Sequence, residues 1–238
     1  MPGPDAETSA PGRFPLLARA WPPLVGVLLA GLVAALASRP FRAFDTYFHL
    51  RFGAEFLDGW SIAHPGQLSA ASTNDWAPTQ WLAQIAMAWL DDVGGTSALV
   101  ALFAALVAAF AGAVHLMARQ RVTAGPAAAL TAVVVIGCLP SLSLRPQVVS
   151  YLLMAVVVMA WHRARATGRV PWWLVPLAWV WAASHGMWVL GVGASVVLAL
   201  ATCVERRSPR AAALRLLAVP VLMLVAACAT PVGPRLAT

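Results

Sequence analysis

Residues 96–117 read TSALVALFAALVAAFAGAVHLM, a run of 22 residues that contains neither an acid nor an arginine. A helix needs roughly 20 mostly apolar residues to cross the hydrocarbon core of a membrane. Similar runs recur along the chain, at residues 21–37, 126–144, 147–161, 172–183, 187–204 and 211–229. These runs predict about seven transmembrane helices, one of which, over 172–183, is short and carries Pro176.

Composition favours the same fold class. The chain has 238 residues, of which 61% are hydrophobic and only 11% charged, whereas soluble domains are about half apolar and about a quarter charged. This excludes a soluble enzyme or a nucleic-acid-binding domain and predicts an all-α, polytopic membrane helix bundle. The three cysteines lie in apolar runs, and no Cys or His spacing typical of a metal site is present.

The domain organisation is simple. Residues 1–15 are polar and rich in proline, which predicts a disordered head on the cytoplasmic side. Residues 16–238 are expected to form a single transmembrane domain that includes an outer loop over 39–79. The run over 21–37 could also be a cleavable signal peptide, because its end resembles a cleavage site; its length and early prolines favour an uncleaved anchor.

The arginines predict the orientation. All 16 basic residues are arginine, and the formal charge is +7. Short cytoplasmic loops carry an excess of Lys and Arg. With a cytoplasmic N-terminus, eleven arginines lie on the inner side and five on the outer side. We therefore expect a multi-pass protein of the plasma (inner) membrane with its N-terminus in the cytoplasm, and the basic charge needs no nucleic acid to explain it.

Polar residues suited to chemistry collect on the predicted outer side. Six of the nine acids lie between Asp45 and Asp92. The middle of the spans carries almost no ionisable side chain, which counts against a transporter or flippase. Catalysis or binding is therefore expected at the outer surface, with these candidate residues: Asp45, His49, His64, Asp75, Arg145 and His185.

The stretch over 43–59, AFDTYFHLRFGAEFLDG, predicts an amphipathic helix in the membrane interface, ended by Gly59. A shorter apolar stretch over 80–90 predicts a second amphipathic or half-inserted helix. Asp45 and His49 are four residues apart, so their side chains can meet on one helix face. Asp45 could serve as a general base, or it could simply cap the helix N-terminus.

Two further motifs flank apolar runs on the same side. Arg145-Pro146-Gln147 opens a predicted helix, and an arginine beside a helix N-terminus suits a phosphate or pyrophosphate. The same arginine could instead reach ordinary lipid headgroups. Ser184-His185-Gly186 predicts a tight polar turn. His64 and Asp75 fall in a loop rich in turn-forming residues, where a plain surface position is the simpler interpretation.

Taken in order, several motifs resemble those of bacterial multi-pass glycosyltransferases of the C superfamily, which use polyprenyl-phosphate-linked sugars. The resemblance covers about residues 20–235, and each motif alone is short. The motifs are Asp45-Thr46-Tyr47-Phe48-His49, Gln80-Trp81-Leu82-Ala83-Gln84, Arg145-Pro146-Gln147, Ser184-His185-Gly186 and Thr230-Pro231-Val232-Gly233.

The resemblance implies roles for the candidate residues. Asp45 would be the catalytic base or would hold the acceptor, His49 would orient it, and Arg145 would stabilise the charge on the leaving lipid phosphate. The other residues expected to bind substrate are Gln147, His185, His64 and Asp75.

The chain also departs from the family pattern. Gln80 and Gln84 stand where relatives often carry acids, and Thr46 follows Asp45 where many members have paired acids. Members often have further spans, so the resemblance implies a fragment, a minimal core or a relative that has lost catalysis.

Two functions follow from this sequence. The first is a membrane enzyme that transfers a hexosyl or pentosyl group from a polyprenyl-phosphate donor to an acceptor hydroxyl. The second is a non-catalytic membrane protein that binds a lipid-linked saccharide or joins a larger membrane assembly. Asp45 and His49 could hold a divalent cation, but two ligands are too few to predict one. An enzyme requires Asp45, Arg145 and His185 to converge at an outward-facing cavity.

Overall fold

The structure is a computed structural model that describes residues 31, 35, 44–233 and 235. The predicted head over 1–15 lies outside the described residues. So does the predicted span over 21–37, apart from Gly31 and Ala35, and so does the start of the predicted outer loop, up to residue 43.

The described part of the chain is helical, with no strand, and contains seven α-helices. The helix α1 begins at Phe44, within the segment predicted to form an amphipathic helix, and that prediction is confirmed. The helices are α1 Phe44–Leu57, α2 Trp81–Arg119, α3 Ala124–Cys138, α4 Gln147–Thr167, α5 Leu174–Ser184, α6 Trp188–Glu205 and α7 Arg210–Cys228, with a single 3₁₀ turn, Leu139–Ser141, after α3.

The predicted fold class, a polytopic helical bundle embedded in a membrane, is confirmed. Among the described residues, five helical segments are long and apolar enough to cross a membrane: Trp81–Arg119, Ala124–Ser141, Gln147–Thr167, Trp188–Glu205 and Arg210–Cys228. The predicted span over 172–183 forms only the 11-residue helix Leu174–Ser184. At 1.5 Å per residue this helix is about 16 Å long, roughly half the hydrocarbon thickness.

Helix α2 is bent at Gly95. The sequence predicts two helices here, over 80–90 and 96–117, and the structure joins them into one 39-residue element interrupted at this glycine. Gly95 has φ 61° and ψ −164°, a conformation that only glycine adopts readily. The first limb, before Gly95, is the part of α2 that carries Gln84.

Two clusters of buried side chains form the core, and α4 contributes to both. One cluster joins α4 to α5, α6 and α7 around the fully buried rings of Trp161 and Trp181. The other joins α2, α3 and α4 around Leu99 and Val107. Helix α1 packs mainly on α2, and α5 packs mainly on α7.

Contacts between distant segments define two ends of the bundle. At one end, which we call the arginine end, Arg121 lies 3.4 Å from His162, and Arg206 donates to the backbone oxygen of Arg165 at 2.7 Å. Arg165 in turn pairs with Glu205. The other end carries the start of α1, the segment before α4 and the turn between α5 and α6. We call it the Asp45 end.

Candidate functional site

The start of α1 is tied to the segment before α4 by one buried hydrogen bond. Thr46 Oγ1 donates to the backbone oxygen of Leu144 at 2.7 Å, between residues 98 positions apart. Thr46 is 1% exposed, so water does not compete for this bond. Because Asp45 and Arg145 are the neighbours of these two residues, the bond brings their side chains together.

Asp45 and Arg145 form an ion pair at this junction. Arg145 Nη2 lies 2.9 Å from Asp45 Oδ1, and the two side chains are 37% and 41% exposed. Among the described residues, neither Asp45 Oδ1 nor Arg145 Nε has a well-aligned hydrogen-bond partner. A partly exposed pair held by charge rather than by two parallel hydrogen bonds adds little stability. The pair can therefore open for a ligand at small cost to the fold.

His49 lies one turn further along α1 and contacts α2. The side-chain nitrogen of Gln84 is 3.2 Å from His49 Nδ1. This contact depends on Gly53, where α1 approaches α2 so closely that a Cβ atom would collide with the backbone carbonyl of Gln84. Gln84 is 3% exposed, and its Oε1 has no hydrogen-bond partner within the part of the chain that the structure describes. The Gln84 side chain, in the first limb of α2, is thus directed at the same cluster.

His185 joins the cluster from the turn between α5 and α6. This confirms the predicted turn over Ser184-His185-Gly186, since α5 ends at Ser184 and α6 begins at Trp188. Ser150 of α4 hydrogen-bonds His185 Nδ1 at 2.9 Å. His185 also lies near enough to His49 for the two rings to interact electrostatically, and His49 in turn senses Asp45 and Arg145. These four residues, from three separate stretches of the chain, thus lie at one end of the bundle.

The electrostatics of the two histidines are coupled. Burial lowers the pKa of His49; the nearby Asp45 carboxylate opposes this effect and the Arg145 guanidinium adds to it. Burial also lowers the pKa of His185, and His49 lowers it further. Both imidazoles are therefore neutral at neutral pH, so Arg145 supplies the positive charge of the cluster.

The stability of the protein is expected to fall in mild acid. Because the pKa of each histidine is lower in the folded protein than its ordinary value of 6.5, the unfolded chain binds more protons below that pH, and the free energy of unfolding decreases there. We expect the Tm in detergent to drop between about pH 7.5 and about pH 5.5. The double variant His49→Gln/His185→Gln should show a smaller drop; an equal drop would contradict the assignment.

Among the described residues, the remaining predicted residues form no hydrogen bond or ion pair with this cluster. Gln147 instead donates from its side-chain nitrogen to the Tyr151 hydroxyl at 2.6 Å. His64 is exposed, and its backbone N–H is bound by Ser61 Oγ. Asp75 is also exposed, and Arg235 contacts its backbone oxygen rather than its carboxylate. Substrate binding by these three residues stays a prediction.

An apolar cavity of about 180 Å³ lies beside the ion pair. Its walls come from both limbs of α2 and from the start of α4, and Arg145 is the charged residue that lines it. A cationic side chain next to an apolar cavity can bind an amphiphile that has a phosphate beside a hydrocarbon chain. The other lining residues include Leu82, Met87, Phe103, Leu106 and Val149.

Metal coordination gains no further ligand from the fold. Within the described ranges, no three His, Cys, Asp or Glu side chains come together in a group that could hold a metal ion. A divalent cation on Asp45 and His49 would thus have no third ligand from these residue types there.

Three residues of the site were not among the sequence-based candidates. Thr46 and Ser150 gave no signal, because a lone hydroxyl in an apolar helix most often bonds its own backbone. Gln84 gave a weak signal. An amide inside an otherwise apolar stretch is costly to bury without a partner, so its presence there indicates a polar contact.

The fold and this cluster define a polytopic helical membrane protein with a polar site at one end. Comparisons with protein-family models, with curated proteins and with solved structures found no match to the chain.

Proposed function

We propose that the protein is a membrane glycosyltransferase that moves a sugar from a polyprenyl-phosphate donor to an acceptor hydroxyl. One observation carries the proposal: Asp45, Arg145, His49 and His185 converge at one end of the bundle, beside an apolar cavity. The cluster combines a carboxylate, a fixed cation and two neutral imidazoles, which suit proton removal, phosphate binding and hydrogen bonding to a sugar.

The reaction assigned to this cluster balances as follows. The acceptor oxygen attacks the anomeric carbon, and the bond from that carbon to the phosphate oxygen breaks, leaving both electrons on the phosphate. Asp45 takes the proton of the acceptor hydroxyl. The products are a glycoside of inverted configuration and the polyprenyl phosphate, whose added negative charge is balanced by the Arg145 guanidinium.

The ion pair suggests how donor binding and base activation are linked. Arg145 Nη2 is engaged by the Asp45 carboxylate at 2.9 Å, while its Nε has no hydrogen-bond partner among the residues that the structure describes. A donor phosphate competes with the carboxylate for the same guanidinium. When the phosphate binds, the Asp45 carboxylate is released from the guanidinium and is free to accept the proton of the acceptor hydroxyl.

The apolar cavity supplies a place for the lipid portion of the donor. It lies between the two limbs of α2 and the start of α4, with Arg145 at its margin. At about 180 Å³ it has room for only a short piece of hydrocarbon. The remainder of a polyprenyl chain would extend into the surrounding bilayer.

The arginine end supports the proposed orientation. Loops with Arg119 and Arg121, with Arg163 and Arg165, and with Arg206 lie together through the contacts between α2, α4 and α6. Under the positive-inside rule this end faces the cytoplasm. The Asp45 end then faces the outer side of the plasma membrane, where lipid-linked sugars would be consumed.

The ion pair also favours a second function, a non-catalytic protein that binds a lipid-linked saccharide or a partner in the membrane. A static pair keeps the Asp45 carboxylate engaged by Arg145 and could serve binding alone. In this case the same cluster would hold a phosphorylated glycolipid without breaking its glycosidic bond.

The experiment that tests the proposal is a turnover assay on the purified protein in lipid nanodiscs. Labelled hexosyl and pentosyl polyprenyl phosphates are supplied, and polyprenyl phosphate release is followed, with water or added saccharide as acceptor. We expect release of polyprenyl phosphate with at least one donor. Tight binding of a donor without release would support the non-catalytic alternative, and the absence of both would contradict the two functions.

A further inference from the structure

A chain of buried hydrogen bonds runs from Trp181 to His185. Trp181 Nε1 donates to Ser150 Oγ at 2.8 Å, and Ser150 Oγ lies 2.9 Å from His185 Nδ1. The backbone N–H of Met187 donates to the same Nδ1 at 3.3 Å. Trp181 and Ser150 are both 0% exposed, so no bulk water competes for these bonds.

The first donor in this chain is held rigidly. The Trp181 ring packs against Gly191 of α6, where an added Cβ atom would lie 2.7 Å from Cη2 of the ring. The ring therefore occupies the space that any side chain at Gly191 would need. With the indole fixed, its N–H stays directed at Ser150.

The positions of the protons follow from the chemistry of the donors. Indole and backbone N–H groups can only donate. Ser150 Oγ therefore accepts from Trp181, and His185 Nδ1 accepts from Met187 and carries no proton. The Ser150 hydroxyl proton is then left to point at Nδ1. A neutral imidazole has one N–H, and here that N–H is on Nε2.

We propose that Ser150 and Trp181 are positioning residues that hold His185 as its Nε2–H tautomer, a hydrogen-bond donor at the Asp45 end. Within the described part of the chain, Nε2 makes no hydrogen bond of its own, so its proton is available to a ligand.

Protonation of the ring is opposed by the same geometry. A proton on Nδ1 would face the N–H of Met187 and the hydroxyl proton of Ser150. Helices α5 and α6 bring no charged group to this ring, because α5 has no ionisable residue and the acid of α6, Glu205, lies at the arginine end. On α1, His49 is the titratable neighbour. The ring is thus a neutral donor rather than a cation or a base.

This tautomer specifies what His185 can recognise. An N–H donor beside Arg145 suits an acceptor oxygen of a phosphate, a sugar ring or a sugar hydroxyl. That assignment of the ligand rests on the proposed function, whereas the tautomer itself does not.

Nitrogen NMR of histidine tests the tautomer directly. The full-length protein is labelled with ¹⁵N-histidine in nanodiscs, and the His185 signals are assigned from the spectrum of His185→Gln. At neutral pH we expect one tautomer, with Nε2 protonated and Nδ1 unprotonated. An Nδ1–H tautomer, a mixture of tautomers or a cationic ring would overturn the proposal, and this measurement needs no variant at the positioning residues.

A matched pair of serine variants tests the role of Ser150. Ser150→Ala removes one of the two donors to Nδ1, and we expect the single tautomer to be lost to an exchanging mixture. Ser195→Ala is the control, because Ser195 is also 0% exposed and its Oγ has no hydrogen-bond partner in the described ranges. An unchanged His185 spectrum in Ser150→Ala would overturn the positioning role.

The outcome is separable from that of the proposed function. If the protein shows no turnover but His185 carries its proton on Nε2, the glycosyltransferase proposal is contradicted and the tautomer proposal is supported. If the protein transfers sugar but His185 shows mixed tautomers, the glycosyltransferase proposal is supported and the tautomer proposal is contradicted.

Discussion

Asp45→Asn is expected to lower the turnover of a lipid-linked sugar by about 10²–10⁴-fold, the usual contribution of a general base. Asparagine has the shape of aspartate but cannot accept the proton of an acceptor hydroxyl. The substitution also removes the partner that engages Arg145 at 2.9 Å, so the guanidinium becomes free for the donor phosphate. We therefore expect kcat to fall while KM for the donor stays the same or decreases.

Asp58→Asn is the matched control for this substitution. Asp58 is an exposed carboxylate just beyond the end of α1, and it forms no ion pair within the described residues. It should therefore keep full turnover. If Asp45→Asn turned over donor as fast as Asp58→Asn, Asp45 would have no catalytic role. A rise in KM with kcat unchanged would mark it as a binding residue.

Gly53→Ala is expected to disrupt the site through the backbone. The added methyl group would collide with the carbonyl of Gln84 and lie 2.8 Å from the Cβ of Ala88. Neither atom belongs to a flexible side chain, so α1 must move away from α2. Overpacking of this kind costs about 1–3 kcal/mol. The displacement should also break the His49–Gln84 contact, so we expect a lower Tm together with loss of donor binding.

Gly112→Ala provides the comparison within α2. A Cβ atom there meets no atom of the described residues within 4 Å, and alanine is a better helix former than glycine by roughly 1 kcal/mol. Thermal unfolding in detergent should therefore give an equal or higher Tm for Gly112→Ala. A Tm for Gly53→Ala that matched that of Gly112→Ala would show that α1 does not pack as closely as its glycine requires.

The large features of the fold were predictable because each depends on a local pattern. Apolar length alone located the helices now seen at Gln147–Thr167, Trp188–Glu205 and Arg210–Cys228. The amphipathic pattern around Asp45 located α1 to within a few residues. The pairing of Asp45 with Arg145 was expected from a resemblance, and the structure brings the two side chains to 2.9 Å.

The supporting contacts were not predictable because they depend on how helices pack. Ser150 and His185 are 35 residues apart, and Thr46 and Leu144 are 98 apart. No periodicity in one helix reveals which hydroxyl will meet which acceptor on another. Likewise, the sequence predicts separate helices over 80–90 and 96–117, whereas the structure joins them and interrupts the element at Gly95, where the backbone conformation decides the position of the break.

The position of Gln84 at the Asp45 end depends on the bend in α2 at a single residue, Gly95. A straight 39-residue helix would be about 58 Å long, nearly twice the hydrocarbon thickness of a bilayer. With a bend at Gly95, the second limb of this element can cross the lipid while the first limb holds Gln84 against α1. A residue with a Cβ atom at position 95 would favour a straight helix, and a straight helix would move Gln84 away from His49.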